Sequence, residues 1–222
     1  MAEIGDYKDK YSGRVFILGN GPSLTPKTVE KLKDEYTFGV CEIAKMFEFT
    51  EWRPNFVAFF DKHAKNIIPA FQQALDEGCI GFCSDAFRYK FTGEFIPMKH
   101  WAKGYIRYTE KDLTNGVHAF GTVMHPVAQI CIWMGFTQLY FVGCDLGFDK
   151  PHHHFYPDAQ GWYIDNTGKY IKMRTDRVIR AHELIKEWCE IMGVEVYNAT
   201  DGGELEVYER KDLDAVLHSP KS

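Results

Sequence analysis

The chain reads as an α/β protein, a doubly wound and mostly parallel sheet in a single domain. Three observations predict this. Short unbroken apolar runs recur along the chain, the form a parallel strand takes when both of its faces are covered. Amphipathic stretches at helical spacing alternate with those runs. The first run, Val15 to Leu18, leads straight into a tight polar turn, Gly19-Asn20-Gly21-Pro22-Ser23, which opens onto a helix start.

The elements follow in order. After the glycine turn, Thr25 can cap a helix, Pro26 suits its first position, and Thr28 and Glu30 fall in its first turn. Residues 36–43 form a second strand-like run and 55–60 a third, which ends at Asp61. Residues 63–77 carry Ile67, Ile68, Phe71 and Leu75 at helical spacing, and Gly78 stops them. Cys79 to Cys83 is another strand candidate. Residues 84–113 are rich in aromatic, Lys and Gly residues without clear periodicity, and read as an irregular, ligand-facing insertion.

Order returns at Gly121-Thr122. A helix is expected over 123–134, with Thr122 as cap, Pro126 tolerated in the first turn and Gly135 as stop. Gln138 to Val142 is a strand ending at Gly143-Cys144-Asp145. Residues 148–171 read as a long loop holding His152, His153, His154, Tyr156 and Asp158. An amphipathic helix over 175–192, a last core strand over 194–198 and a short helix over 213–217 complete the chain. The domain is thus expected to span 14–210, between an N-terminal extension (1–13) and a C-terminal tail (211–222).

Composition narrows the function class. The 222 residues are 45% hydrophobic and 26% charged, ordinary values for a globular protein with a substantial core. A net charge of −5 argues against a broad nucleic-acid surface. No apolar run reaches the ~18 residues of a membrane span, and the polar start has no signal-peptide core. Six cysteines form no Cys-x-x-Cys pair, and most lie in apolar segments. A reduced, cytoplasmic compartment is expected, and a structural zinc site is not.

In a doubly wound sheet, ligands bind outside the carboxyl ends of the strands. That rule sets Gly19–Ser23, Asp61, Asp145 and Asn198–Gly203 along one rim. Glycines let the backbone approach a phosphate, and free N–H groups attract its charge. The turn is neither a Walker A loop nor a dinucleotide fingerprint, because Leu24 stands at the third glycine position. It reads equally as a strand-to-helix turn with no ligand. Asp145, between Gly143 and Gly147, suits Mg²⁺ or a hydroxyl, or else the N–H groups of its own loops. Asp61 has the same placement. The three adjacent histidines cannot converge on one ion, so one of them is expected as a general base or phosphate partner. Arg174 is the best candidate anion partner among Arg174, Arg177 and Arg180.

Taken in order and spacing, several segments resemble the MptE-like family, named for the archaeal 6-hydroxymethylpterin diphosphokinase. They are Gly19-Asn20-Gly21-Pro22-Ser23-Leu24, Gly121-Thr122 through Phe136, Val142 through Asp145, His154-Phe155-Tyr156 and Tyr197 through Leu205. The chain is also similar to motility-associated flagellin glycosyltransferases. Its opening turn and the Gly143–Asp145 strand end are similar to bacterial lipooligosaccharide sialyltransferases, which use a CMP-linked donor. That last group has an Asn where this chain reads Gly39-Val40-Cys41-Glu42, and a histidine near the positions of Lys169 and Tyr170.

The resemblance covers roughly residues 14–210 and implies a Rossmann-like, nucleotide-dependent transferase. Glycosyl transfer from a nucleotide-activated sugar to a small-molecule or glycan acceptor is the leading implication. Gly19, Asn20, Gly21, Pro22, Ser23, Asp61, Gly121, Thr122 and Asn198 would then hold the nucleotide. His154 would serve as base or phosphate partner beside Asp145, and Tyr156 as a phosphate hydrogen-bond donor. The alternative is diphosphate transfer from ATP to a pterin alcohol, with Mg²⁺ on Asp61 and Asp145 as the one candidate cofactor. A non-catalytic nucleotide-binding module is a third reading.

Overall fold

The computed structural model describes residues 2–61, 65–101, 112–147, 152–157 and 168–220. Each apolar run becomes a strand of one parallel sheet. The first half supplies β1 (Arg14–Leu18), β2 (Tyr36–Val40), β3 (Phe56–Phe59), β4 (Ile80–Ser84) and β5 (Phe95–Met98). The second half supplies β8 (Gln138–Val142), β9 (Glu195–Asn198) and β10 (Glu209–Arg210). The order is β10-β9-β8-β1-β2-β3-β4-β5, and every neighbouring pair is parallel. A second, two-stranded sheet joins β6 (His100–Trp101) to β7 (Val117–His118).

The chain runs outward from β1 through β5, then returns to the other side of β1 as β8. The order therefore reverses between β1 and β8, and their carboxyl ends open the crevice where such sheets take ligands. Leu18 lies opposite Val142 in that register. The strand period of two splits the core between the two faces. Val15, Ile17, Phe38 and Phe141 pack on one side; Phe16, Leu18, Tyr140 and Val142 pack on the other.

The first face is covered by α3 (Met124–Trp133), α4 (Gly168–Met192) and the N-terminal residues, the second by α1 (Pro26–Glu30), α2 (Ile68–Asp76) and α5 (Leu213–His218). Several signals act as the sequence suggests. Thr25 Oγ1 accepts from Thr28 N at 3.2 Å, and Pro26 opens α1. Gly78, at φ +89°, ends α2 in a conformation that suits glycine.

The differences from expectation are informative. The stretch 84–113 is not wholly irregular: Phe95–Met98 adds the edge strand β5. Pro97 disguised it, since proline is confined to edge positions of a sheet. Within that stretch, residues 102–111 lie outside the described residues, as do 148–151 and 158–167 (Asp158 included) of the long loop. The last long helix starts at Gly168 rather than at residue 175, so it takes in Lys169 and Tyr170, whose side chains are outside the description. Both flanking segments pack onto the domain. Ile4 and Tyr7 are buried, with Trp133 Nε1 donating to Ile4 O at 2.9 Å. At the other end, Arg14 pairs with Glu35 at 2.7 Å and donates to Val216 O in α5.

Candidate functional site

The glycine turn is tied to the loop after β8 across the switch point. Gly19 N donates to Val142 O at 2.8 Å and Gly21 N to Gly143 O at 2.9 Å. The Asp145 carboxylate completes the brace, accepting from Ser23 N at 3.2 Å and Ser23 Oγ at 2.8 Å. A Cβ on Gly21 would fall on that carboxylate and within 2.7 Å of Gly143 O, so only glycine fits there. A third loop, 199–205, closes against the same place. Glu204 N donates to Asp145 O at 2.8 Å and Cys144 N to Thr200 Oγ1 at 3.1 Å.

Asn20 points the other way, toward β2. Its Nδ2 donates to Val40 O at 3.1 Å, while its buried Oδ1 has no hydrogen-bond partner among the described residues. A buried acceptor left open at a strand end is a costly feature unless something fills it. The backbone of Asn20 carries a second link: its carbonyl accepts from Phe155 N at 2.9 Å. That bond sets the segment 152–157 over the glycine turn. Phe155 packs into the core below, and the rings of His154 and Tyr156 stack at 4.8 Å, 5° from parallel. His152 is exposed, whereas His153, His154 and Tyr156 are half-buried.

The end of β2 forms the remaining wall. Cys41 adopts φ +53°, a conformation that residues with a side chain seldom take, and Leu146 beside Asp145 adopts φ +62°. Two such positions at one rim mark it as a place where geometry outranks local comfort. The Cys41 thiol is pushed up to about 12, by burial first and then by the neighbouring carboxylates of Asp61 and Glu42. Glu42 is itself buried, and Lys45 Nζ sits 2.7 Å from its Oε1 and 4.0 Å above the Tyr156 ring. The sequence reading did not single out Lys45. Its one signal was position, a cation five residues past a strand that ends on the binding rim.

The other expected residues are placed differently. Asn198 is on the rim, but its side chain serves its own loop: Nδ2 donates to Leu205 O at 2.7 Å and Oδ1 accepts from Thr200 N at 3.0 Å. Pro22 keeps its place within the turn. Thr122 Oγ1 accepts from Met124 N at 3.3 Å at the start of α3. Gly121 packs so closely on α4 that a Cβ would lie 2.9 Å from the Ala181 side chain. Beside that turn, His125 Nδ1 donates to His118 O at 2.9 Å and His182 Nδ1 to the Tyr208 hydroxyl at 2.9 Å. Burial pushes His125 down to about 4 and His182 to about 3, the latter helped by the nearby His125. Both imidazoles are neutral at neutral pH. Among the described residues no three His, Cys, Asp or Glu gather as a metal site, and no helix is long and apolar enough to cross a membrane.

Three solved structures share this fold. The MAf glycosyltransferase from Magnetospirillum magneticum AMB-1 aligns with TM-score 0.55 and 15% identity over 94% of this chain. The chain spans only 37% of that protein. The monofunctional α-2,3-sialyltransferase Cst-I from Campylobacter jejuni aligns with TM-score 0.56 and 16% identity, covering 95% of this chain and 83% of its own. The sialyltransferase CstII from Campylobacter jejuni, solved with cytidine-5′-monophosphate, gives 0.53 and 13% over 89% and 84%. No curated protein matches the sequence. The model of the 6-hydroxymethylpterin diphosphokinase MptE-like family matches residues 2–151, more than half of the chain, and the chain belongs to that family.

Proposed function

We propose that the protein is a nucleotide-dependent transferase that moves a sugar from a nucleotide-activated donor to a small-molecule or glycan acceptor. One observation carries the reading: the Phe155–Asn20 backbone bond, which holds His154 and Tyr156 above the glycine turn. The turn, with Asn20 and Thr122, holds the nucleotide. The open Oδ1 of Asn20 accepts a donor hydrogen from it. His154 serves as base or phosphate partner, and Tyr156 donates to the departing phosphate. Asp145 acts by fixing Ser23 and the turn. The likeness in fold to glycosyltransferases supports this direction. It is an intracellular activity on this reading, in keeping with free cysteines throughout the described chain.

The family's name favours a second reading, diphosphate transfer from ATP with Mg²⁺ on Asp61 and Asp145. The described residues fit that metal poorly. Both oxygens of Asp145 accept from Ser23, and among the described residues no three His, Cys, Asp or Glu gather as a metal site. A thermal-shift panel of CMP, UDP, GDP and ATP, with Mg²⁺ or with EDTA, separates the readings. The first expects CMP or UDP to stabilise the protein equally in EDTA. Stabilisation by ATP alone, and only with Mg²⁺, hands the assignment to the second. No shift with any nucleotide refutes both.

A further inference from the structure

We propose that Lys45 is the residue that meets the phosphate of the bound nucleotide, with Glu42 as the group that fixes its ammonium. The inference rests on the nucleotide-binding reading above. The rim around the glycine turn is rich in carboxylates: Asp61 and Glu42 flank Cys41, and Asp145 lies under Ser23. A phosphate placed there without a counter-charge would meet repulsion from these carboxylates.

Among the described residues, three other basic side chains on this side of the sheet are engaged elsewhere. Arg210 donates to the carbonyls of Thr200, Gly202 and Gly203 and pairs with Glu206 at 2.6 Å. Lys211 pairs with Glu209. The Arg177 guanidinium lies over the Phe120 ring. Lys45 is different. It lies in the 3-10 turn Ile43–Glu48, which follows the positive-φ Cys41 at the end of β2. Glu42 takes one of its directions and the Tyr156 face another, and its side chain remains 39% exposed. An ammonium carries three donors, so among the described residues at least one is left for a ligand. It also stands beside the His154–Tyr156 stack, where the proposed transfer leaves negative charge on the phosphate.

A Lys45 that only latched the 152–157 segment would affect every ligand alike. One that meets phosphate affects nucleotides and spares nucleosides. Calorimetric titration of the full chain at low salt, with CMP, UMP, GMP and AMP and with the four matching nucleosides, tells these apart. Wild type should bind its preferred monophosphate at least tenfold more tightly than the nucleoside. Lys45→Met should erase that gap while leaving nucleoside affinity within about twofold. Lys45→Arg should retain most of the gap, and Glu42→Gln should narrow it roughly threefold, so the proposal stays testable if one variant misfolds. A gap that survives Lys45→Met overturns the assignment and leaves the nucleotide site standing. Equal weakening of nucleotide and nucleoside overturns it in favour of a latch. If wild type binds none of the eight compounds, the nucleotide reading itself fails and this one with it.

Discussion

Acid should unfold this protein earlier than its composition suggests, because two imidazoles are buried neutral in the helix layer beside the Gly121 turn. His125 lies in α3 and is fully buried; His182 lies in α4, 2% exposed, with its ring edge-on to Phe141. Each uses Nδ1 as a donor, to His118 O and to the Tyr208 hydroxyl. Their values in the fold are about 4 and about 3, against 6.5 for a free histidine. Both are depressed, so the unfolded chain takes up protons first as the pH falls. The stabilisation is present above about pH 6.5 and is lost progressively toward the folded values. Between pH 7 and pH 5 each histidine removes roughly 2 kcal/mol, and the pair roughly 3–4 kcal/mol. That is a large share of a typical stability of about 5–15 kcal/mol. Urea unfolding followed by tryptophan fluorescence at pH 7, 6 and 5 measures it. The double variant His125→Asn/His182→Gln starts lower but should lose roughly 3 kcal/mol less over the same range. Equal losses in the variant and the wild type would refute the reasoning, since the titration would then belong to other groups.

Two further outcomes follow from the site. Ser23→Ala removes the hydroxyl that holds Asp145 at 2.8 Å, and should cost about 1–3 kcal/mol in unfolding free energy. Nucleotide affinity should fall at the same time as the turn loosens; unchanged stability and affinity would show that the brace does not hold the turn. His154→Ala should lower donor turnover by about 10²-fold or more, the usual scale for a general base. His152→Ala, at an exposed position, should change it less than twofold on the same scale. Equal small effects in a donor-hydrolysis assay would return the segment to plain surface.

Most of the sheet was legible because parallel strands announce themselves. Arg14–Leu18, Phe56–Phe59 and Gln138–Val142 are buried on both faces, so each appears as an unbroken apolar run bounded by polar or glycine residues. Strands at the margins are less visible. Phe95–Met98 contains a proline, and Glu209–Arg210 is two residues long and charged, so neither carries a strand pattern. The 3-10 turn Ile43–Glu48 was hidden for another reason. It continues the apolar character of β2, and the chain leaves the strand through the positive φ of Cys41, which composition does not encode. Lys45 was missed with it, because its relevance depends on that turn.

The site shows the limit of reading glycines as ligand signatures. Gly21 follows a buried strand and opens a helix, the layout that phosphates favour, and the sequence allowed either a ligand or a bare turn. The structure supplies a cause for the glycine that involves no ligand: the Asp145 carboxylate occupies the space a Cβ would need. The demand for glycine is therefore met before any nucleotide arrives. What the brace leaves unexplained is more telling about function than what it explains. Asn20, one residue earlier, is held by Val40 and Phe155, yet its Oδ1 is buried without a partner among the described residues. On the proposed reading, that acceptor takes a donor from the nucleotide, which offsets the cost of burying it. Asn20, more than either glycine, is thus the residue of the turn on which the proposed nucleotide site depends.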